Sequence, residues 1–314
     1  LLFINNIKSK SPYFRRKLAK VTIRSISDIS KIPFLNKEEI RSNIDEITPN
    51  KSNLIKSKTG GTTGKSLSVY YSHENIQERF GCFDNFRERF GYVLGDKIAW
   101  FSGKNILNNH DLFKNRYWKT DFLYNIRYYS TFHISDFSAE YYIKNLNKYQ
   151  PLFLSGFPSS ISEIAKIGLR KNYLLNYKVK AIFTTAESII HEDIKIMEEF
   201  YGGVIADQYA SSEGAPWITQ CLKGHMHLEP LTGVFEVLDK NENPTEKGEL
   251  VVTSFTTERT PLLRYKIGDS IELDNTNNCD LHSGQIVKEI FGRVNDYIYS
   301  METGRINLGN ISNT

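Results

Sequence analysis

The chain has 314 residues, 40% hydrophobic and 24% charged, and its 40 basic and 36 acidic side chains leave a net charge of only +4. This describes an ordinary globular protein of one large domain or two smaller ones, with no charge signature for nucleic acid. No run approaches the roughly 18 apolar residues of a membrane span, so no membrane partner is expected. The three cysteines, an odd number, argue against a disulfide framework and for a reducing cytoplasm. The opening Leu-Leu-Phe-Ile run is too short for a signal peptide, and the absence of an initial Met implies residues upstream.

Residues 1–55 read as helical and basic. Ser11-Pro12 turns into a helix, and Asn36 with Glu39 forms a capping-box start ahead of Ile40. Residues 74–91 predict a helix with apolar positions at Ile76, Phe80, Phe83 and Phe86, and residues 97–101 a short buried strand. Residues 105–130 give no clean period. From Ser138 a helix runs to Tyr149 and stops before Pro151. A strand then ends at Gly156, and Ser160 with Glu163 caps a helix with Ile161, Ile164 and Ala165 inward. Residues 179–184 form a strand, 190–201 a helix closed by Gly202-Gly203, and 204–209 another strand. Such alternation predicts an α/β body with a parallel sheet flanked by helices. After Gly233 the pattern changes to an antiparallel hairpin, 234–238 with 249–253, so a β-rich subdomain is expected over about 215–290.

Residues 59–66 read Thr-Gly-Gly-Thr-Thr-Gly-Lys-Ser. The glycines permit positive-φ turns, and the hydroxyls, backbone N–H groups and Lys65 could cradle polyphosphate. The pattern nearly matches a P-loop, but Thr59 stands where that motif needs its first glycine, and residues 67–71 read as a strand rather than a helix. A glycine-rich loop between two strands is therefore preferred, and a plain hairpin turn remains about as good a reading of this segment alone.

Four later segments carry polar residues where a structural role would want apolar ones. The first, Phe183-Thr184-Thr185-Ala186-Glu187, follows a strand, where open α/β sheets bind ligands. The second, Asp207-Gln208-Tyr209-Ala210-Ser211-Ser212-Glu213-Gly214, could stack a base and hold Mg²⁺. The third, Pro261 through Asp269, ends in an aspartate that could accept ribose hydroxyls, and the fourth is Phe291-Gly292-Arg293-Val294-Asn295-Asp296. Each has a plainer reading, with Glu213 and Asp269 as caps and Arg293 as a surface cation. Their order after a phosphate-type loop is what sets them apart.

Together, segments 59–66, 186–187, 209–213, 264–269 and 292–296 resemble the adenylate-forming superfamily of acyl-CoA synthetases, most closely its phenylacetate-CoA ligase and CapK-like branch. Weaker similarity lies at 32–37 and 156–159, so the resemblance spans nearly the whole chain. It implies the large N-terminal domain of the adenylate-forming fold and two half-reactions. A carboxylate displaces pyrophosphate from ATP, and the acyl group then passes to a thiol such as coenzyme A. Transfer to an amine, a protein cysteine or a cofactor is the alternative, and a non-catalytic nucleotide-binding relic the third reading.

By the same resemblance Thr59, Gly61, Thr62, Thr63, Gly64 and Lys65 cradle the departing pyrophosphate, Glu187 and Tyr209 line the nucleotide site, and Tyr209 packs near adenine. Ser212 lies beside the α-phosphate, Glu213 holds Mg²⁺, Asp269 binds the ribose, Arg293 reaches ribose or phosphates, and Asn295-Asp296 form a hinge. Lys65, Glu213 and Arg293 are the implied catalytic groups. The family usually has Ser at Gly60, Pro at Ser66, Gly at Ala210 and Thr at Ser212. The chain ends about twenty residues past Arg293, so the small C-terminal domain with its catalytic lysine is expected to be absent, and adenylation by this chain alone to be weak. Implied partners are a small carboxylic acid, ATP and coenzyme A or another acceptor, with a homodimer as the candidate assembly. Trp100, Phe101, Phe157, Phe183 and Trp217 are candidate walls for the acid, or core.

Cys221-x3-His225-x-His227 and Cys279-x2-His282 form two sulfur/nitrogen clusters suited to tetrahedral Zn²⁺, though the 51 residues between them exceed any finger spacing. The expected ligands are Cys221, His227, Cys279 and His282, with His225 as substitute, holding a structural zinc. Two buried cysteines beside exposed histidines is the plainer alternative.

Overall fold

The computed structural model describes residues 2–58, 66–276 and 278–293, with the backbone alone for 292–293 and for the strands Tyr297–Ser300 and Gly304–Asn307. By its internal contacts the chain divides into two units. The first comprises Leu1–Phe83, Ala210–Thr219 and His225–Thr314, and the second comprises Asp84–Tyr209 with the short Gln220–Gly224 segment.

The second unit is the α/β body. Its sheet runs in the order Trp118–Asp121, Ile126–Ser130, Ile98–Ser102, Phe153–Gly156, Ala181–Thr184, Val204–Ala206. All neighbours are parallel except the first pair, an edge hairpin. The central strands Phe153–Gly156 and Ala181–Thr184 are buried at every position, as strands covered on both faces must be. The helices Ala139–Tyr149, Pro158–Lys171 and His191–Tyr201 supply the cover, and their Tyr142, Leu146, Ile161, Ile164, Ala165, Met197 and Tyr201 are fully enclosed. Three buried phenols find acceptors, Tyr142 donating to Ser130 O at 2.7 Å, Tyr129 to Asn145 Oδ1 at 2.7 Å and Tyr201 to Ile161 O at 3.0 Å.

Three local expectations are corrected here. The helix placed at Ser160 begins at Pro158, whose missing N–H costs nothing in the first turn. The aperiodic 105–130 stretch holds the helix Asn109–Phe113, capped reciprocally by Asn108 and Asp111, and the edge hairpin. All four residues of Trp118–Asp121 are half-buried, which erases the two-residue period. The helix His73–Glu88 forms as expected, but Phe80 is 52% exposed rather than in the core.

The first unit opens with the helices Leu2–Lys10, Pro12–Lys17 and Lys37–Ser42. Ser11 Oγ accepts from Phe14 N and Asn36 Oδ1 from Glu39 N, caps worth about 1 kcal/mol each. The return arm expected from Glu39 goes elsewhere: its carboxylate takes Lys17 Nζ at 2.6 Å. An antiparallel sheet follows in the order Gly233–Leu238, Lys247–Ser254, Tyr265–Asp274, Ile286–Arg293, Met226–Leu228. The expected hairpin is present with Val234 opposite Thr253 and Val237 opposite Leu250.

Candidate active site and metal cluster

In the second unit the carboxyl edge of the parallel sheet gathers Ser102, Ser130, Gly156, Thr184 and, just past the last strand, Asp207. Gly156 has φ +134°, and a Cβ there would stand 2.1 Å from Phe101 O on the neighbouring strand, so only glycine lets the chain turn at this point. Its carbonyl accepts from Thr185 N at 3.1 Å. Ala186 takes a left-handed φ of 70°, and the next residue, Glu187, accepts from Ser159 N at the start of the helix Pro158–Lys171 at 3.2 Å. Asp207 Oδ1 accepts from Thr184 Oγ1 at 2.8 Å and from Gln208 N at 2.9 Å. Burial pushes the Asp207 carboxyl up to about 6, with those two hydrogen bonds pulling the other way. Tyr209, half-buried, ends the long segment of this unit. Phe101 and Phe183 are wholly enclosed core residues, so neither is a pocket wall; Trp100 and Phe157 are half-buried, and Trp217 is buried.

In the first unit the loop bearing Ser212 and Glu213 is fastened from three sides. Ser211 caps it, accepting from Ala215 N at 3.1 Å. Tyr71 OH donates to Ser212 O at 2.9 Å, and burial pushes that phenol up to about 12. Arg79 donates to Gly214 O at 3.1 Å and Thr256 Oγ1 at 2.8 Å and lies over the rings of Tyr71 and Trp217. Gly214, at φ +93°, leaves no room for a Cβ, which would meet Tyr71 OH at 2.6 Å. Glu213 is thereby buried, with Lys37 Nζ 3.9 Å from its carboxylate.

Asp269 is half-buried, follows Gly268 at φ +92° and sits where the ladder to Ile286–Arg293 slips, a bulge of the kind that re-aims a side chain. Its backbone pairs directly with Arg293. Thus the residues expected at the ribose lie opposite each other across one strand pair; the Arg293 side chain lies outside the described residues. So do Thr59, Gly61, Thr62, Thr63, Gly64 and Lys65, as well as Asn295 and Asp296. The flanks of the glycine-rich segment are an antiparallel ribbon, Ile55–Lys58 with Ser68–Tyr71, closing at Lys58 opposite Ser68. A strand, not a P-loop helix, follows Ser66.

Ligand atoms of Cys221, His225, His227 and Cys279 lie within 4.8 Å of one another. His227 Nδ1 donates to Gly284 O at 2.8 Å, which leaves Nε2 a bare lone pair, and that atom is buried without a hydrogen-bond partner, as is His225 Nδ1. Burial also lowers the His227 pKa and favours the neutral, ligating imidazole. Two orphaned imidazole nitrogens beside two thiols fit a tetrahedral zinc. This cluster differs from the expected ligand set by one member, holding His225 and not His282. Both nitrogens of His282 are engaged, Nδ1 accepting from Gly284 N at 2.9 Å and Nε2 contacting Glu229 at 3.2 Å. His282 instead stacks on the His227 ring at 4.5 Å.

Sequence reasoning gave no role to Asp207, Lys37, Tyr71 or Arg79. The first two sit inside segments it had singled out; nothing in the pattern marked the others.

No family model matches the chain. It is 36% identical over 316 residues to Protein CapK of Staphylococcus aureus, covering 99% of this chain and 70% of that protein. Its fold matches 2-hydroxyisobutyryl-CoA ligase in an open conformation with 2-HIB-AMP and CoA, at a TM-score of 0.74 and 16% identity, covering 99% of this chain and 77% of the ligase. The same ligase in its postadenylation state with 2-HIB-AMP gives a TM-score of 0.74 at 16% identity, covering 99% of this chain and 70% of the ligase. With 36% identity to CapK sustained from end to end, the chain belongs to the CapK family, and its fold is that of an adenylate-forming ligase.

Proposed function

We propose that the chain activates a small carboxylic acid with ATP as an acyl-adenylate and passes the acyl group to a thiol such as coenzyme A. The observation that carries this reading is the pairing of Asp269 with Arg293 behind the positive-φ Gly268, in a chain whose fold matches a ligase bound to an acyl-AMP and CoA. In the first unit, Asp269 accepts the ribose hydroxyls and Arg293 reaches the ribose or phosphates. The buried Glu213 carboxylate offers the hard oxygen that Mg²⁺ prefers, beside the Ser212 hydroxyl at the α-phosphate. Magnesium supplies neutralisation of phosphate charge when bound. Thr59, Gly61, Thr62, Thr63, Gly64 and Lys65 cradle the leaving pyrophosphate.

The chemistry is displacement at phosphorus by a carboxylate already present as a nucleophile. Positioning and charge neutralisation therefore do most of the work, and a pre-fixed loop such as that of Glu213 avoids reorganisation during reaction. Cys221, His225, His227 and Cys279 hold a structural zinc, whose four protein ligands leave no open position for catalysis. The odd number of cysteines suits a reducing, cytoplasmic setting.

Asp269→Ala tests the placement. The account expects the KM for ATP to rise about tenfold or more, the cost of losing hydrogen bonds to a carboxylate, with the KM for the acid little changed. An unchanged ATP KM removes Asp269 from the ribose.

A further inference from the structure

Lys37 has no explanation in the helix it begins. It occupies the first position of Lys37–Ser42, behind the Asn36 cap, where a cation works against the helix dipole. Yet the segment leading to it is among the best anchored in the first unit. Leu35 exchanges backbone hydrogen bonds with the strand Tyr265–Asp274, its N donating to Arg264 O at 3.1 Å and its O accepting from Lys266 N at 2.8 Å. Arg264, in a left-handed conformation at φ 48°, donates to Ser30 O at 2.6 Å and Ile32 O at 3.2 Å, and its guanidinium covers the Phe34 ring at 4.1 Å. Lys17 Nζ donates to Phe34 O at 2.7 Å. This clamp ties the start of the helix to the strand that carries Asp269. The Glu213 loop is fixed independently by Tyr71 and Arg79.

Two fixed elements thus bring the Lys37 ammonium to 3.9 Å from Glu213 Oε1, with the side chains 23% and 9% exposed. That distance is an ion pair without a hydrogen bond. Resting on the reading of Glu213 as the magnesium carboxylate, we infer that Lys37 is a further phosphate-binding cation of the adenylation site. It neutralises Glu213 while nucleotide is absent. With MgATP bound, Glu213 would hold the metal, whose charge would replace that of Lys37 beside the carboxylate. The Lys37 ammonium then turns to the β- and γ-phosphates, so the buried carboxylate is never left without a counter-charge.

The test is calorimetric binding of MgATP and of AMP to the wild-type chain, Lys37→Met and Lys37→Arg. Lys37→Met is expected to weaken MgATP about tenfold or more, the size of a lost charge-assisted hydrogen bond, and AMP by less than about twofold, with Lys37→Arg recovering most of the loss. Binding of MgATP by Lys37→Met within about twofold of wild type overturns the inference, as does an equal loss for AMP. Should Lys37→Met fail to fold, Glu213→Gln tests the same pair from its other side. It removes the carboxylate's attraction for Lys37, so magnesium-free ATP should bind several-fold tighter, and unchanged or weaker binding overturns the switch. If the wild type binds neither ATP nor AMP, the adenylation reading falls and this inference with it. If the wild type binds both and Lys37→Met matches it, only the inference falls.

Discussion

Asp207 is a carboxylate in an expensive place. It receives two short hydrogen bonds at Oδ1, yet burial still outweighs them and holds its pKa at about 6. Because the folded value lies above the unfolded one of about 3.9, the folded state keeps a proton that the unfolded chain has released between roughly pH 4 and 6. Stability from this group is therefore full below pH 4 and is lost as pH rises through 6, a penalty on the order of 3 kcal/mol thereafter. Asp207→Asn keeps the acceptor oxygen and removes the charge. Its melting temperature should exceed that of wild type at pH 7.5, and the gap should close at pH 4. A gap of equal size at both values contradicts the assignment. The role of Asp207 was invisible in the sequence, because burial, not residue type or spacing, sets its proton affinity. Asp269 behaves differently. The glycine before it and its place in the Arg-Tyr-Lys-Ile-Gly-Asp run marked it in advance, and the structure adds the bulge and the Arg293 pairing.

Elements explain why some of the architecture was legible and some was not. The helices Ala139–Tyr149 and His191–Tyr201 bury regular stripes against a sheet, so their period and stop signals survive in the sequence. The edge hairpin and the helix Asn109–Phe113 bury too little for any period to show. The strand end at Gly156 is the tightest backbone approach at the carboxyl edge. Gly156→Ala sets a Cβ against Phe101 O and forces a left-handed residue at once, so a loss of roughly 3 kcal/mol or more is expected by chemical denaturation. A loss below about 1 kcal/mol would mean the strands can separate there at little cost. In the metal cluster the ligand types were readable, but choosing among three histidines was not, because the choice lies in hydrogen bonds made by the backbone of Gly284. Metal analysis separates the two sets. His225→Ala should lose most of its bound zinc, and His282→Ala should keep it near stoichiometric. The reverse pattern restores His282 as the ligand.

For the whole molecule, the informative quantity was order. No single segment excluded a turn, a cap or a surface cation, but the succession from residues 59–66 to Arg293 resembled one family, and identity to CapK across 99% of the chain bears that out. The antiparallel ladder that brings Asp269 to Arg293 and the three-sided grip on the Glu213 loop are properties of the fold, reachable only once distant strands are paired. The central claim is that these parts serve acid activation. Its most direct test is exchange of labelled pyrophosphate into ATP by the full chain across a panel of small carboxylic acids, with Mg²⁺. The account predicts exchange that requires both the acid and the metal and that falls at least about a hundredfold in Glu213→Gln, the scale of removing one preorganised charge-stabilising group. Exchange independent of any acid, or unaffected by Glu213→Gln, would contradict it.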